Sequence, residues 1–412
     1  MKKSYLLGAL GLLAMASCSQ DETIGINHDG DEITFNVVTN SATRAADVYC
    51  NKNLPGGFYV SAISDGKTYI DGDHVTGSNE KWTNESGTRY WPETPVDFYA
   101  HVNAGTSYKW SVDGAGKATA KFENFAVNGT VADQVDLLYA VKTGQKKADG
   151  TVNLNFRHAL SQIVFQAKNT NANLYVEIAG VSVANVGGTN TFTFPSANTE
   201  TNIEDHDGNA DGVYEDGEFG DITDGLNWGT WVALTQGEEQ YDVDFINKIP
   251  VRGNNTLVAL TTANETDKEY NSNAMLLLPQ TTTAWDPEAN PLPGAEKNTG
   301  SYLLVDCAIF NVAGTDYAEG DDVCLWGELK EGTWNTKELA IPVAFDWQQG
   351  KKYVYTLVFG EGNGGYDPDP DPDPDPEDPD PVLVPITFEI TVDDFELVDG
   401  GEIESGIPGK GA

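Results

Sequence analysis

Short apolar/polar alternation constrains this chain more than any other feature. GFYVSAI, VDFYAHV, YKWSV, TAKFENF, VNLNF, LYVEIAGVSVANV, TNTFTFP, SYLLVDCAIF, ELAIPVAF and KKYVYTLVF each place apolar residues at every second position or as a brief continuous run. DG, GT, PET, NAG and DGAG cut them apart. In a strand successive side chains point to opposite faces, so such runs bury one face of a sheet, and turn residues at this spacing predict an all-β sandwich architecture. Only residues 158 to 168 carry helical character. A break falls at residues 196 to 222, where IEDHDGNADGVYEDGEFGD is acidic and glycine-rich. It predicts a domain boundary, with one β-sandwich domain over residues 45–198 and a second over 199–360, or else a large insertion.

The formal net charge of −40 over 412 residues repels phosphate backbones and argues against nucleic acid as a partner. Lys2 and Lys3, the apolar run LLGALGLLAMA and Ser17-Cys18 form a secretory signal over residues 1–17, too short to span a bilayer. Small residues directly before Cys18 resemble a bacterial lipobox, which makes Cys18 the lipidation site and the chain an outer-membrane lipoprotein with a palmitate-type anchor. Three cysteines remain, Cys50, Cys307 and Cys324. A Cys307–Cys324 disulfide and three free thiols are both compatible with the pattern.

After residue 360 the composition changes again. Residues 361–384 contain an Asp-Pro repeat. Proline fixes φ and disfavours helix in the residue before it, so the repeat is extended, roughly 45 Å long at ~3.1 Å per residue. It carries PITFEITV, with Ile386, Phe388, Ile390 and Val392 facing one way. The first strand pattern, EITFNV, has the same Ile-Thr-Phe followed two residues later by an apolar side chain, Val37 in place of Ile390. Arginine is scarce: Arg44, Arg89, Arg157 and Arg252. Arg89 and Arg157 sit inside strand patterns, whereas Arg44 sits in a loop sequence, SATRAAD, directly after the first strand. Cleavage between Arg44 and Ala45 would free residues 18–44, a propeptide carrying that strand. The groove left behind would accept an extended segment, and residues 385–412 of another copy supply one.

Several phrases in order resemble the Bacteroides-type fimbrillins: TRYWPETPVDFYAHV, VNLNFRHALSQIVFQAKN, AMLLLPQTT and VAFDWQQGKKYVYTLVF. The resemblance covers essentially the whole chain, although Phe395 stands where the family pattern leads one to expect Trp. It implies two transthyretin-like β-sandwich domains plus an extended C-terminal donor strand, Ile386 to Val392. It also implies an Arg-specific protease acting at Arg44, other copies or related fimbrial subunits as partners, a surface fimbrium as location, and adhesion to host or bacterial surface ligands. A monomeric lipid-anchored adhesin or glycan-binding protein is the alternative.

One motif points to a metal. DGNADGVYEDGE matches the twelve-residue calcium loop, with Asp207, Asn209, Asp211, the Val213 carbonyl, Glu215 and Glu218 as ligands and Gly212 at the sharp turn. Its flanks are not helical, and a solvated acidic loop is the competing reading; no cofactor is required. The histidines have no metalloprotease spacing, and no nucleophile-elbow or phosphate-loop motif appears, so no enzyme is expected. His158 reads as a packing or hydrogen-bonding residue. Among Trp82, Trp91, Trp110 and Trp228, all able to stack on sugars, Trp91 and Trp110 read as core.

Overall fold

The computed structural model describes residues 31–39, 54, 56–78, 81–199, 228–234, 237–261, 274–287, 289, 300–318, 322–362, 364–368, 381–382 and 386–394. Among these the chain is all-β, interrupted by three single-turn 3-10 segments.

Alternation sets which faces are buried. A seven-stranded sheet runs in the order Phe35–Thr39, Val152–His158, Leu138–Gln145, Val96–Val102, Phe58–Ser64, Lys67–Ser78, Lys81–Asn84. One of its faces packs Phe58, Val60, Phe98, Leu154 and Phe156 into a single core. The other presents Ile63, Tyr99, Tyr139 and Val141 to a second core shared with Phe122, Phe192 and Phe194. Those phenylalanines come from a four-stranded sheet, in which Ala118–Ala126 and Thr189–Thr193 are central. Two hairpin turns meet backbone to backbone nearby. Gly66 and Gly116 both have φ near +70°, and a Cβ on Gly116 would lie 2.7 Å from the Gly66 Cα.

The C-terminal core lies between two further sheets. One holds Ser161–Asn169, Lys351–Phe359 and Ile386–Asp394 side by side. The other holds Glu239–Arg252, Leu174–Val186, Tyr302–Asn311 and Lys337–Pro342. Ile163, Phe165, Val176, Val305, Tyr355 and Leu357 are among the residues that fill the space between them. AMLLLPQ explains its continuous apolar run here. Met275 and Leu277 enter this core while Leu276 and Leu278 enter the core of the phenylalanines.

Three expectations are corrected. Residues Ser161–Asn169 form a strand, not a helix, because Ile163, Phe165 and Ala167 alternate into the core. The sheets do not divide at residue 198: Ser161–Asn169 and Leu174–Val186 already belong to the C-terminal pair, and Thr189–Thr193 returns to the N-terminal side. The composition break marks an insertion, and crossing strands partition the cores. Finally, the Asp-Pro repeat does not carry its strand away from the chain. Gly365 pairs with Val382 and Tyr366 with Pro381, so the two ends of the repeat lie side by side.

Candidate subunit-docking groove

The first strand, Phe35–Thr39, runs parallel to Val152–Phe156 at one edge of the seven-stranded sheet. On its other side it meets the segment that follows the opposite edge. The Ile33 N–H donates to the Arg89 carbonyl at 2.8 Å, the Trp91 N–H donates to the Asp31 carbonyl at 3.1 Å, and Glu32 bridges Tyr90. Residues 31–33, directly before the strand, thus tie it to the far side of the sheet. Ile33, Phe35 and Val37 are at most 8% exposed. The Phe35 ring stands edge-on to Phe58 and to Phe98, each at 5.7 Å. Burying three such side chains contributes about 1.5–3 kcal/mol each. Lost pairing on both sides would add stranded backbone donors and acceptors.

The wall formed by residues 89–91 is braced independently of the first strand. Arg89 holds Asp73 through two hydrogen bonds, 2.6 and 2.9 Å. Burial works to raise the Asp73 carboxyl, yet the Arg89 and Asn84 hydrogen bonds outweigh it and hold it below its ordinary value. Asp73→Asn is expected to loosen this wall. The first sign would be faster hydrogen exchange at the Ile33 and Trp91 amides, with strand Val96–Val102 unchanged; equal protection in both forms would contradict the bracing.

The terminal strand, Ile386–Asp394, pairs antiparallel with Lys351–Phe359 over nine residues, from Phe359↔Ile386 to Lys351↔Asp394. The sequence pattern places its sheet in a neighbour; in the fold the strand completes a sheet of its own chain. It lies at the edge of that sheet, and its seating is uneven. Ile386 is buried, Phe388 is half-buried with its ring 6.4 Å from Tyr355, and Ile390 is 43% exposed. Lys168 reaches across to Glu389 at 2.9 Å, an exposed pair of small worth. Thus the two Ile-Thr-Phe segments occupy unequal seats: one is enclosed and the other is open at its far end.

Other sequence-predicted residues fall as follows. Cys18, Arg44, Ala45, Cys50 and the Asp207–Glu218 loop lie outside the described residues, as do the surroundings of the Val392 side chain. Among the described residues no cluster of three or more His, Cys, Asp or Glu is placed to hold a metal. Cys307 and Cys324 are free thiols on adjacent strands, and Cys307 is fully enclosed. Burial pushes the Cys307 thiol up, so it is expected to resist thiol reagents until the chain unfolds. Modification of Cys307 in the folded chain, read by peptide mapping, would contradict that. His158 is buried, with Nδ1 at 2.8 Å from Asp136 Oδ2. Trp82 and Trp91 are core, and Trp110 and Trp228 pack partly against it. The Arg157 guanidinium lies 4.8 Å above the Trp228 ring and donates to the Thr199 carbonyl, out of reach of a protease.

Sequence reading missed the longest strand, Glu239–Arg252, although Tyr241, Val243 and Phe245 alternate cleanly within it. It also missed His101. That ring is buried between Tyr59 and Tyr108, at 5.4 and 4.0 Å, and against Phe122. Burial drives its pKa from 6.5 down to about 3. The folded value is the depressed one, so the unfolded chain binds the extra proton as pH falls. Stability is full above about pH 6.5 and declines by up to roughly 1.4 kcal/mol per pH unit toward pH 3 from this group. His101→Phe is expected to flatten that part of the denaturation-midpoint profile; an unchanged slope would remove His101 as its source.

The chain is all-β, with an enclosed parallel first strand and a terminal strand docked at a sheet edge. A family model described as fimbrillin-like matches residues 28–369, and the chain belongs to that family, which is structural and not enzymatic. No curated protein matches the sequence. Among solved structures the chain is similar to a fimbrial protein from Bacteroides vulgatus, with 15% identity, TM-score 0.51, and coverage of 88% of this chain and 99% of that one. A candidate cell adhesion protein from Parabacteroides distasonis aligns at 13% identity and TM-score 0.43, over 88% of this chain and 100% of that one. At 15% identity the likeness to the Bacteroides vulgatus structure speaks for the fold alone.

Proposed function

We propose that this chain is a cell-surface fimbrial subunit that joins its neighbours by strand donation after export as a Cys18-anchored lipoprotein. In this reading, cleavage between Arg44 and Ala45 releases the first strand, and the terminal strand of another copy enters the emptied groove. The observation that carries the reading is the inequality of the two seats. Ile33, Phe35 and Val37 are enclosed, whereas Ile390, the counterpart of Val37, is 43% exposed on its own sheet edge. Moving the terminal strand from the open edge to the enclosed groove gains apolar burial at the far end of the strand, where its own sheet offers least. Membership of the fimbrillin-like family supports a role in surface fibres.

The intramolecular pairing of Ile386–Asp394 favours one competing reading, an uncut monomeric adhesin whose terminal strand is permanent. A peptide spanning Pro385–Val392 separates them. Added to trypsin-cut chain, it is expected to bind and to restore the thermal stability lost on cutting. It should not bind the uncut chain. A cut chain that ignores the peptide would favour the self-complete adhesin.

A further inference from the structure

The terminal strand is rooted at a definite place on its own chain. The chain leaves the C-terminal sandwich at Tyr366 and Asp367. Asp367 is buried and ion-paired with Lys337, and the Lys337 ammonium lies 5.0 Å over the Trp326 ring. Pro381 and Val382 return to pair with the same Tyr366 and Gly365. From Val382 to Ile386 is only four residues, at most about 14 Å of fully extended chain. A body that grips the donated strand from Ile386 onward is therefore held close to Trp326.

The strand that ends at Trp326 is unusual for this surface. Among the described residues Val323–Trp326 pairs on one side only, with Ile309–Asn311. Cys324 and Trp326 pack against neighbouring cores, while Val323 and Leu325, on the opposite face by strand alternation, are 63% and 43% exposed. Leu329 on the next hairpin, Glu328–Lys330 with Thr333–Asn335, is 56% exposed. An unprotected edge strand with an apolar outer face is a liability in a free monomer and an asset at an interface. On a chain of net charge −40, identical copies repel each other overall, which favours apolar area as the source of contact between them.

We infer that Val323 and Leu325 form a docking surface for the N-terminal part of the next copy, the part that holds the donated strand. This rests on strand donation as proposed above. The contact would stiffen the joint between subunits and slow dissociation, with strand exchange supplying the permanence.

The test is a Val323→Ser, Leu325→Ser double variant of the full chain, with Ile246→Ser, an equally exposed residue on the Glu239–Arg252 strand, as control. Serine leaves the charge unchanged, and both sites are exposed, so folding should be intact by circular dichroism. After trypsin cleavage, the double variant is expected to elongate about tenfold more slowly than wild type, as truncation of a small apolar anchor pair produces. Its fibres should also be shorter and more bent in electron micrographs, while the Ile246→Ser chain behaves as wild type. Elongation rate and fibre shape equal to wild type in the double variant would overturn the docking surface and leave strand donation standing. A wild-type chain that forms no multimers at all would remove strand donation, and the docking surface with it.

Discussion

Phe35→Ala is expected to lower the stability of the N-terminal sheet by about 3–5 kcal/mol, the range for a fully enclosed phenylalanine whose cavity cannot collapse. The ring contacts Phe58 and Phe98 edge-on, the strand carrying it pairs with Val152–Phe156, and residues 31–33 directly before it are bonded to residues 89–91. Neither wall can move inward without breaking its own pairing. Denaturant unfolding followed by Trp82 and Trp91 fluorescence reads the effect, since both indoles lie in the same core. A truncation at the open end of the terminal strand, at the counterpart of Val37, is the contrast. Ile390→Ala in the uncut chain should cost under about 1 kcal/mol, because its side chain is half in solvent. Equal losses at Phe35 and Ile390 would mean that the two seats are equivalent, and the inequality that drives exchange would be gone.

Arg44→Ala carries the second large effect. Under strand donation the first strand leaves only if the loop after it is cut, and its replacement by a donated strand requires that it leave. Wild-type chain exposed to an arginine-specific protease should yield multimers that resist SDS without boiling. The Arg44→Ala chain should remain monomeric under the same digestion, because Arg89 is ion-paired in the groove wall, Arg157 is buried and Arg252 is tied to Asp316 at 2.5 Å. Multimers of undiminished yield from the Arg44→Ala chain would show that assembly does not pass through release of the first strand.

Much of the fold was legible because strand alternation is a local property. Phe58–Ser64, Val96–Val102, Tyr302–Asn311 and Lys351–Phe359 each fall where their apolar periodicity put them. What sequence could not supply was partnership. The parallel pairing of Phe35–Thr39 with Val152–His158 joins segments more than a hundred residues apart, and no turn chemistry records it. The same applies to the terminal strand. Its Ile-Thr-Phe alternation says that it must complete a sheet, but the same side chains fit an edge in this chain or a groove in another. The partition of the cores was hidden because strands Ser161–Asn169 and Thr189–Thr193 cross between the halves, leaving the acidic insertion as a misleading boundary. Charge misled in another way. The Asp-Pro repeat has every reason to be extended, yet pairing of Tyr366 with Pro381 brings its ends together.

Limited digestion of the folded chain with an arginine-specific protease, with N-terminal sequencing and sizing of the products, tests the central claim most directly. The predicted result is one early cut giving a new terminus at Ala45, release of the segment bearing Ile33, Phe35 and Val37, and a ladder of multimers that grows with time. A chain that resists cleavage at Arg44, or that is cut there and stays a stable monomer with its first strand retained, would contradict strand donation and identify the molecule as a self-complete adhesin.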